Sequence, residues 1–239
     1  MEKIKTDLPV PYTIIEIAPV THDTKAFRFA LPENASLDMM PGDHLHAHLE
    51  IDGNQISRPY TPVSTPDDIG FFELIIKRYP NGIMSRYLHT RGVGDTVKLS
   101  GPFIGGHYRP GMAKKIGMIA GGAGITPMIT IIRTIIRNRH NVQLSLIYAN
   151  KSENDIILRE ELEKYAVDFP NFRMLLALDQ PPINWSGHSG FIDSELLALY
   201  LPLPDTESVI FLSGPPMMEF KIREALLKLG HDKKRIVIP

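Results

Sequence analysis

From residue 12 to about residue 102, apolar and polar positions alternate over six short stretches: 12–21, 24–31, 44–51, 55–63, 71–79 and 95–100. Alternation with period two and a high β-branched content mark half-buried strands. Asp52-Gly53, between the third and fourth stretches, is a tight hairpin signal. Six short strands separated by Gly and Pro predict a small antiparallel barrel. Residues 101–115 contain Gly105-Gly106 and Pro110-Gly111 and predict the boundary, with one domain over 1–112 and a second over 113–239. Past the boundary the period changes. Apolar strands at 116–120, 142–149, 172–178, 209–212 and 236–238 alternate with helical patterns at 127–139, 154–165, 194–200 and 218–229. That order predicts a five-stranded parallel α/β sheet covered on both faces.

Composition narrows the chemistry. The 239 residues are 43% hydrophobic and 22% charged, enough to bury a real core. Lys and Arg number 26 against 27 Asp and Glu, a net charge of −1 that argues against broad nucleic-acid binding. There is no Cys, which excludes disulfides, a thiol nucleophile and cysteine-ligated metal clusters within these residues. Redox chemistry therefore requires an organic cofactor, a haem, or a metal held by His and carboxylates. The polar start, Met1-Glu2-Lys3-Ile4-Lys5, is no signal peptide. The longest uncharged run, between Lys115 and Arg133, is broken by Gly121, Gly122, Gly124 and Pro127 and predicts strand, turn and helix, not a membrane span. The expected location is cytoplasmic.

Four short motifs carry candidate chemistry. Gly121-Gly122-Ala123-Gly124-Ile125-Thr126-Pro127 joins a predicted strand to a helix, with Thr126 as the expected N-cap and Pro127 as the first helical residue. Glycines and free N–H groups at such a turn suit a diphosphate, although a plain tight turn explains it equally well. Pro127 stands where a dinucleotide fingerprint has its third Gly, so this is not that fingerprint. Ser213-Gly214-Pro215-Pro216-Met217 follows another strand, so both turns fall at the carboxyl edge of the predicted sheet, where open α/β proteins bind ligands. In the barrel half, Arg58-Pro59-Tyr60-Thr61-Pro62-Val63-Ser64 offers a cation, an aromatic face and a hydroxyl on a proline-stiffened segment. Gly82-Ile83-Met84-Ser85 opens a short helix. Singly, each also reads as ordinary punctuation. His44, His46 and His48 share one strand face, but no carboxylate or Cys motif supports them and no metal is expected. Lys114, Lys115, Arg133, Arg137 and Arg139 are either a docking patch for an acidic electron carrier or a solvated face.

Together, and in this order, the motifs resemble the ferredoxin–NADP reductase superfamily and within it the NADH–cytochrome b5 reductases, over nearly the whole chain. The resemblance implies an FAD held mainly by the barrel and an NADH laid across the second domain. Arg58 and Pro59 would meet the flavin diphosphate, Tyr60 would pack on the isoalloxazine, and Thr61 would hydrogen-bond near flavin N5. Ile75 would line the flavin site, Gly82, Ile83, Met84 and Ser85 would complete the cradle, and Thr126 would touch it from the other domain. The coenzyme would cross Gly121, Gly122, Gly124, Gly214, Pro215, Pro216 and Met217, with Lys77 beside it. Thr61, Lys77 and Ser213 are the implied catalytic positions. Asp179, after the strand at 172–178, matches an acid that binds the adenosine ribose, and its charge repels a 2′-phosphate, so NADH is expected over NADPH. Three positions depart from the pattern: Ser213 stands for a usual Cys, Ile83 for a usual Lys, and Pro239 for a frequent terminal aromatic.

The implied function is an FAD-dependent oxidoreductase that takes hydride from NADH and passes electrons to cytochrome b5, another haem protein or a small-molecule acceptor. One alternative is a stand-alone flavin reductase or the reductase module of a nitrate reductase, oxygenase or globin system. Another, of a different class, is a non-catalytic subunit that binds flavin and nucleotide.

Overall fold

The computed structural model describes residues 2–239. The elements run β1 (Glu2–Ile4), β2 (Thr6–Thr21), β3 (Thr24–Ala30), β4 (Ala35–Leu37), β5 (His44–Ile51), β6 (Asn54–Tyr60), β7 (Phe71–Lys77), α1 (Ile83–His89) and β8 (Thr96–Phe103), then β9 (Lys115–Gly121), α2 (Ile125–Arg137) and β10 (Gln143–Asn150). They continue with α3 (Arg159–Asp168), β11 (Phe172–Leu178), β12 (His188–Ser189), α4 (Ser194–Tyr200), β13 (Ser208–Ser213), α5 (Pro216–Lys228) and β14 (Ile236–Val237).

The first sheet is antiparallel, in the order β6-β5-β8-β2-β3-β7. Its end strands feed one interior: Ile56 and Tyr60 of β6 pack in the same apolar cluster as Phe72, Leu74 and Ile76 of β7. A flat sheet could not bring its two edges to one core, so the sheet is rolled into the expected barrel. The Asp52-Gly53 hairpin forms as its sequence dictates, with Asp52 at φ 50° and Gly53 at φ 76° between Ile51 and Asn54, which face each other across the ladder. β8 extends to Phe103, past the expected stop at residue 100, so the Gly-Pro step at 101–102 lies inside a strand and not at the head of a linker.

The second sheet is all parallel, in the order β12-β11-β10-β9-β13-β14. It has six strands where the sequence pattern gave five. The added one, β12, is two residues long, too short to show a period, and pairs with the end of β11. β9, β10 and β11 step outward to one side, and the chain then crosses back to lay β13 and β14 on the other side of β9. The direction of winding reverses between β9 and β13, the place where an open α/β sheet has a crevice at its carboxyl edge. One face is covered by α2 and α3, whose Met128, Ile129, Ile132 and Leu162 are fully buried, and the other by α4 and α5 through Leu197, Ile222 and Leu226.

Two helix expectations need correction. α2 begins at Ile125 with Gly124 as its N-cap, because a 3-10 turn over Gly122–Gly124 runs directly into it. Thr126 is therefore inside the first turn and donates its hydroxyl to the Ala123 carbonyl instead of capping. The helix expected over 154–165 is broken: a 3-10 turn covers Glu153–Asp155, Leu158 sits in the left-handed region at φ 58°, and α3 starts only at Arg159.

The lobes are joined by shared core and by polar ties. Val63 and Ile75 of the barrel are buried in the same cluster as Ile125, Met128 and Ile129. Thr130 donates to the Pro62 carbonyl at 2.6 Å, and Arg133 donates to the Val63 carbonyl at 2.5 Å while gripping Glu161 with two hydrogen bonds of 2.7 Å. Burial opposes the Arg133 charge, but Glu161 outweighs it and the guanidinium is held more firmly protonated. Arg137 pairs with Asp68, Lys114 with Glu207 and Lys115 with Asp205, so four of the five cations considered for docking are engaged in ion pairs with the chain's own acids.

Candidate active site

Two backbone turns meet at the switch point. β9 and β13 are paired up to Ala120 and Ser213, so the turns that follow them start side by side. They pack too closely for any side chain. A Cβ on Gly124 would lie 2.2 Å from the Ser213 carbonyl oxygen, and one on Gly121 would lie 2.5 Å from the Met218 sulfur. Gly122, at φ 53°, faces open space. Its carbonyl accepts the Tyr148 hydroxyl at 3.0 Å, and that hydroxyl in turn accepts the Ile157 N–H at 3.2 Å, which fixes the turn to the segment before α3. The Gly214 N–H donates to Glu219 in the first turn of α5, clamping the second turn to its helix.

Between the lobes runs a cleft of about 1060 Å³. Of the residues singled out in the sequence it gathers Lys77, Gly121, Gly122, Asp179, Pro215 and Met217. Gly124, Ser213, Gly214 and Pro216 belong to the same two turns but do not line the cleft. Asp179 directly follows β11 and is exposed on the lining of the cleft. Asn150, at the end of β10, lines the cleft with both amide atoms buried and unpartnered among the described residues. Buried polar atoms without partners are rare in folded proteins and call for a water, an ion or another polar group to pair with them. Small residues at both turns, an unpaired amide and the exposed acid Asp179 on its lining make this cleft fit a dinucleotide.

Lys77 is not a free cation. Its ammonium lies 2.8 Å from Asp155 and 3.1 Å from Asp23, and its side chain is only 13% exposed. Burial opposes all three charges, yet the mutual contacts prevail. The Lys77 pKa is raised, while Asp23, aided by Thr24 and Thr21, and Asp155, aided by Ser152, are both held low. Asp155 is itself fixed by a capping box with Ser152. His22 stands beside Asp23 and Asp155 in a geometry able to hold a metal ion, but the Lys77 ammonium already satisfies both carboxylates.

The second group lies on the barrel. Arg58 is exposed on β6, and its side chain donates only to the neighbouring Ser57 carbonyl, leaving most of its guanidinium free. Pro59 is exposed beside it, while Tyr60 turns inward to the cluster that holds Met84, Leu88 and Tyr87 of α1. Burial pushes the Tyr60 phenol up to about 12, against the opposing charge of Arg58. Thr61 is half-buried where the strand ends. Gly82 caps α1 without a side-chain cap, and no acid lies in the first turn. A Cβ on Gly82 would fall 2.4 Å from the Ser85 hydroxyl, which accepts the Tyr79 N–H. Ile83 is exposed and Met84 buried. Ile75 is buried in the interlobe core, and Thr126 is buried at the start of α2. An uncapped helix start, a free guanidinium and a half-buried aromatic fit a flavin dinucleotide. Two of the three histidines of β5 have hydrogen-bond partners, His46 with Ser57 and His48 with Ser100, both at 2.8 Å, His44 lies against the His46 and Phe103 rings, and burial lowers the pKa of His44 and His48.

Sequence reasoning missed several cleft residues. Phe191 is 86% exposed at the rim, and Tyr79, Arg86, Asn150, Lys151 and Lys221 also line the cleft. An exposed aromatic directly after a glycine was the available signal for Phe191. Asn150 and Lys151 carry none, because only the end of β10 brings them there.

Residues 11–108 match the family model described as "Oxidoreductase FAD-binding domain", and residues 118–224 match "Oxidoreductase NAD-binding domain". The chain is 40% identical over 235 residues to NADH-cytochrome b5 reductase 1 of Aspergillus terreus, covering 95% of this chain and 79% of that one. It is 37% identical over 219 residues to the protein of the same name from Dictyostelium discoideum, covering 91% and 77%. The chain belongs to the NADH–cytochrome b5 reductase family. Among solved structures, the cytochrome b5 reductase domain of Ulva prolifera nitrate reductase superposes with a TM-score of 0.92 at 31% identity, covering all of both chains. Membership in the family makes the chain an NADH-dependent flavoprotein reductase that uses FAD. No helix of the described residues is long and apolar enough to cross a membrane.

Proposed function

We propose that this reductase passes the electrons it takes from NADH to cytochrome b5 or a closely related haem protein. FAD, when bound, accepts a hydride and releases electrons singly, which joins a two-electron donor to a one-electron acceptor. The protein's part is placement. Arg58 and the start of α1, with Pro59, Gly82, Ile83, Met84 and Ser85, hold the flavin diphosphate. Tyr60 packs against the ring system, Thr61 presents its hydroxyl near it, and Ile75 and Thr126 close the site from the interlobe side. The turns at Gly121, Gly122 and Gly124 and at Gly214, Pro215, Pro216 and Met217 carry the dinucleotide, with Asp179 accepting hydrogen bonds from the adenosine ribose. Lys77 holds the nicotinamide side of the cleft at a fixed width through Asp155, and Ser213 lies at the base of the second turn. The flavin-binding part spans 1–112 and the coenzyme-binding part 113–239.

The acceptor is read from the 40% identity to NADH-cytochrome b5 reductase 1 of Aspergillus terreus, and the coenzyme's place from the meeting of two glycine turns at the winding reversal, on one cleft with the barrel residue Lys77. The test is anaerobic mixing with NADH while flavin absorbance is followed, and then addition of oxidised cytochrome b5. Bleaching followed by haem reduction at a rate that saturates with cytochrome b5 is expected. Bleaching without haem reduction, but with rapid reduction of free flavin or of a nitrate-reductase haem domain, would move the acceptor to those partners. A flavin that stays oxidised with NADH would leave a binding subunit only.

A further inference from the structure

One helix ties the two halves of the site together. α2 starts directly after the glycine turn at 121–124, and its Thr130, Arg133 and Arg137, spaced by three and four, share one helix face. They meet the barrel segment that follows Thr61 residue by residue. Thr130 donates to the Pro62 carbonyl at 2.6 Å, nearer than the Thr126 carbonyl of its own helix at 3.2 Å. Arg133 Nη1 donates to the Val63 carbonyl at 2.5 Å, and Arg137 to the Thr65 hydroxyl at 2.6 Å. From Thr130 to Arg137 the helix rises about 10 Å, and three residues of drawn-out chain span at most about the same, so helix and segment run in step. Arg133 also reaches a third element: its Nε and Nη2 grip Glu161 of α3, a carboxylate that the Tyr165 hydroxyl holds as well. Outside this seam lies a cavity of about 250 Å³, lined from the barrel by Ser64 and Thr65 and from the other lobe by Arg133, Arg137 and Tyr165. The polar ties, not packing, close that side.

We propose that Arg133 is a positioning residue for hydride transfer: by holding the Val63 carbonyl to α2 and α3, it sets how closely the coenzyme turn stands over the segment that presents Thr61. This rests on the placing of the flavin at Thr61 and of the coenzyme at 121–124, and names what fixes the distance between them. Arg133 lines the seam cavity and not the coenzyme cleft, so it acts through the backbone of Val63, two residues beyond Thr61. Hydride transfer requires the donor carbon within about 3–3.5 Å of its acceptor, and a misplacement of about 1 Å from a remote substitution costs about a hundredfold. Each cofactor is held mainly by its own lobe. Loss of the tie therefore leaves both bound and slows the one step that needs them in register. The fork geometry of the guanidinium is what the task demands, because it serves Val63 from one nitrogen and Glu161 from the other two. A lysine ammonium keeps the charge beside Glu161 but cannot reproduce that fork.

The test uses the FAD-loaded protein, unaltered and as Arg133→Met, Arg133→Lys and Thr130→Val. Four quantities are read: flavin bleaching at saturating NADH, NAD⁺ affinity by calorimetry, urea unfolding, and the long-wavelength charge-transfer absorbance of reduced flavin with NAD⁺ stacked on it. In Arg133→Met, bleaching is expected to slow about 10- to 100-fold and the charge-transfer band to weaken, while NAD⁺ affinity and FAD content stay within about threefold. Arg133→Lys should unfold near the urea midpoint of the unaltered protein and still bleach slowly. Thr130→Val, which removes the neighbouring tie to Pro62, should move rate and band the same way by a smaller factor. A merely structural role gives the opposite split, with earlier unfolding of Arg133→Met and an unaltered rate and band, and that result overturns the proposal. Full recovery of the rate in Arg133→Lys overturns it too, because charge beside Glu161 would then suffice. If neither Arg133 variant folds, Thr130→Val decides: a slower rate with a weaker band supports the tie, and unchanged values overturn it. If the unaltered reduced protein gives no band with NAD⁺, the placing of the two cofactors has failed, and the proposal fails with it.

Discussion

Lys77 Nζ lies 2.8 Å from Asp155 Oδ1, a charge-assisted hydrogen bond that runs from the last residue of a barrel strand to a capped turn of the other lobe. Asp23, at the tip of the β2–β3 hairpin, holds the same ammonium at 3.1 Å. Asp155→Asn removes the interlobe charge but leaves Lys77 paired with Asp23. We expect a loss of about 1–2 kcal/mol of stability, less than for a pair left wholly broken. Flavin bleaching by NADH should slow, with recovery in Asp155→Glu. Urea unfolding read beside stopped-flow reduction checks this, and an unchanged reduction rate would remove the contact from the placement of the coenzyme.

The same cluster sets a pH window. The folded-state pKa values of Asp23 and Asp155 are depressed by Lys77. Their contribution is therefore present above the unfolded carboxylate value, about 3.9, and is lost as pH falls through the lower folded values. Lys77 is raised, so its contribution is complete below the unfolded value, about 10.4, and is lost as pH rises through the higher folded value. The stability gap between the unaltered protein and Asp155→Asn should thus be flat from about pH 5 to 9 and shrink below about pH 4. Unfolding curves across that range measure it.

Why the turns could be read from sequence and this cluster could not is a matter of range. The turns at 121–124 and 213–217 demand Gly and Pro because their backbones touch, and that demand shows at the residues themselves. Lys77 and Asp155 are 78 residues apart, and neither has a local pattern that announces the other. Asp155 was hidden inside an expected helix, which breaks because its carboxylate is committed to Ser152 and Lys77 and because Leu158 turns left-handed. Thr126 looked like a cap because Thr-Pro ordinarily opens a helix. The 3-10 turn over the glycines moved the start upstream by more than local propensity shows. The barrel strands were legible because each keeps one face in the core.

Among the described residues Arg58 makes no ion pair, and it is exposed, so Arg58→Ala removes the proposed flavin contact with little effect on the fold. Hydrogen bonds to a charged group contribute about 1.5–3 kcal/mol, so FAD affinity should fall about 10- to 100-fold. Titration of apoprotein with FAD measures the loss, and the thermal midpoint of the apoprotein should stay where it is.

Thr61 is half-buried at the end of β6, immediately after Tyr60. Thr61→Val keeps the shape and removes the hydroxyl. FAD should stay bound, while bleaching by NADH slows by up to about tenfold, the scale of one neutral hydrogen bond. Stopped-flow rates identical to those of the unaltered protein would deny the hydroxyl any part in the reaction.

Gly124→Ala tests whether the meeting of the two turns is the site's foundation. The new methyl would lie 2.2 Å from the Ser213 carbonyl oxygen and 2.9 Å from the Gly214 nitrogen, both of them backbone atoms that cannot swing aside. Relief requires the first turn to move away from the second and to draw α2, whose N-cap is Gly124, with it. Forcing a group into a packed contact of this kind costs about 1–3 kcal/mol. The damage should be unequal across the protein. Coenzyme binding, which needs both turns in register, should weaken by more than tenfold, about 1.4 kcal/mol or more. FAD content should fall far less, because the barrel residues proposed to hold it lie outside the strained contact and only Thr126 moves with α2. Calorimetric titration with NAD⁺ beside the flavin-to-protein absorbance ratio separates the two effects. Equal loss of both ligands would mean that the turn supports the whole protein and not the coenzyme cleft in particular.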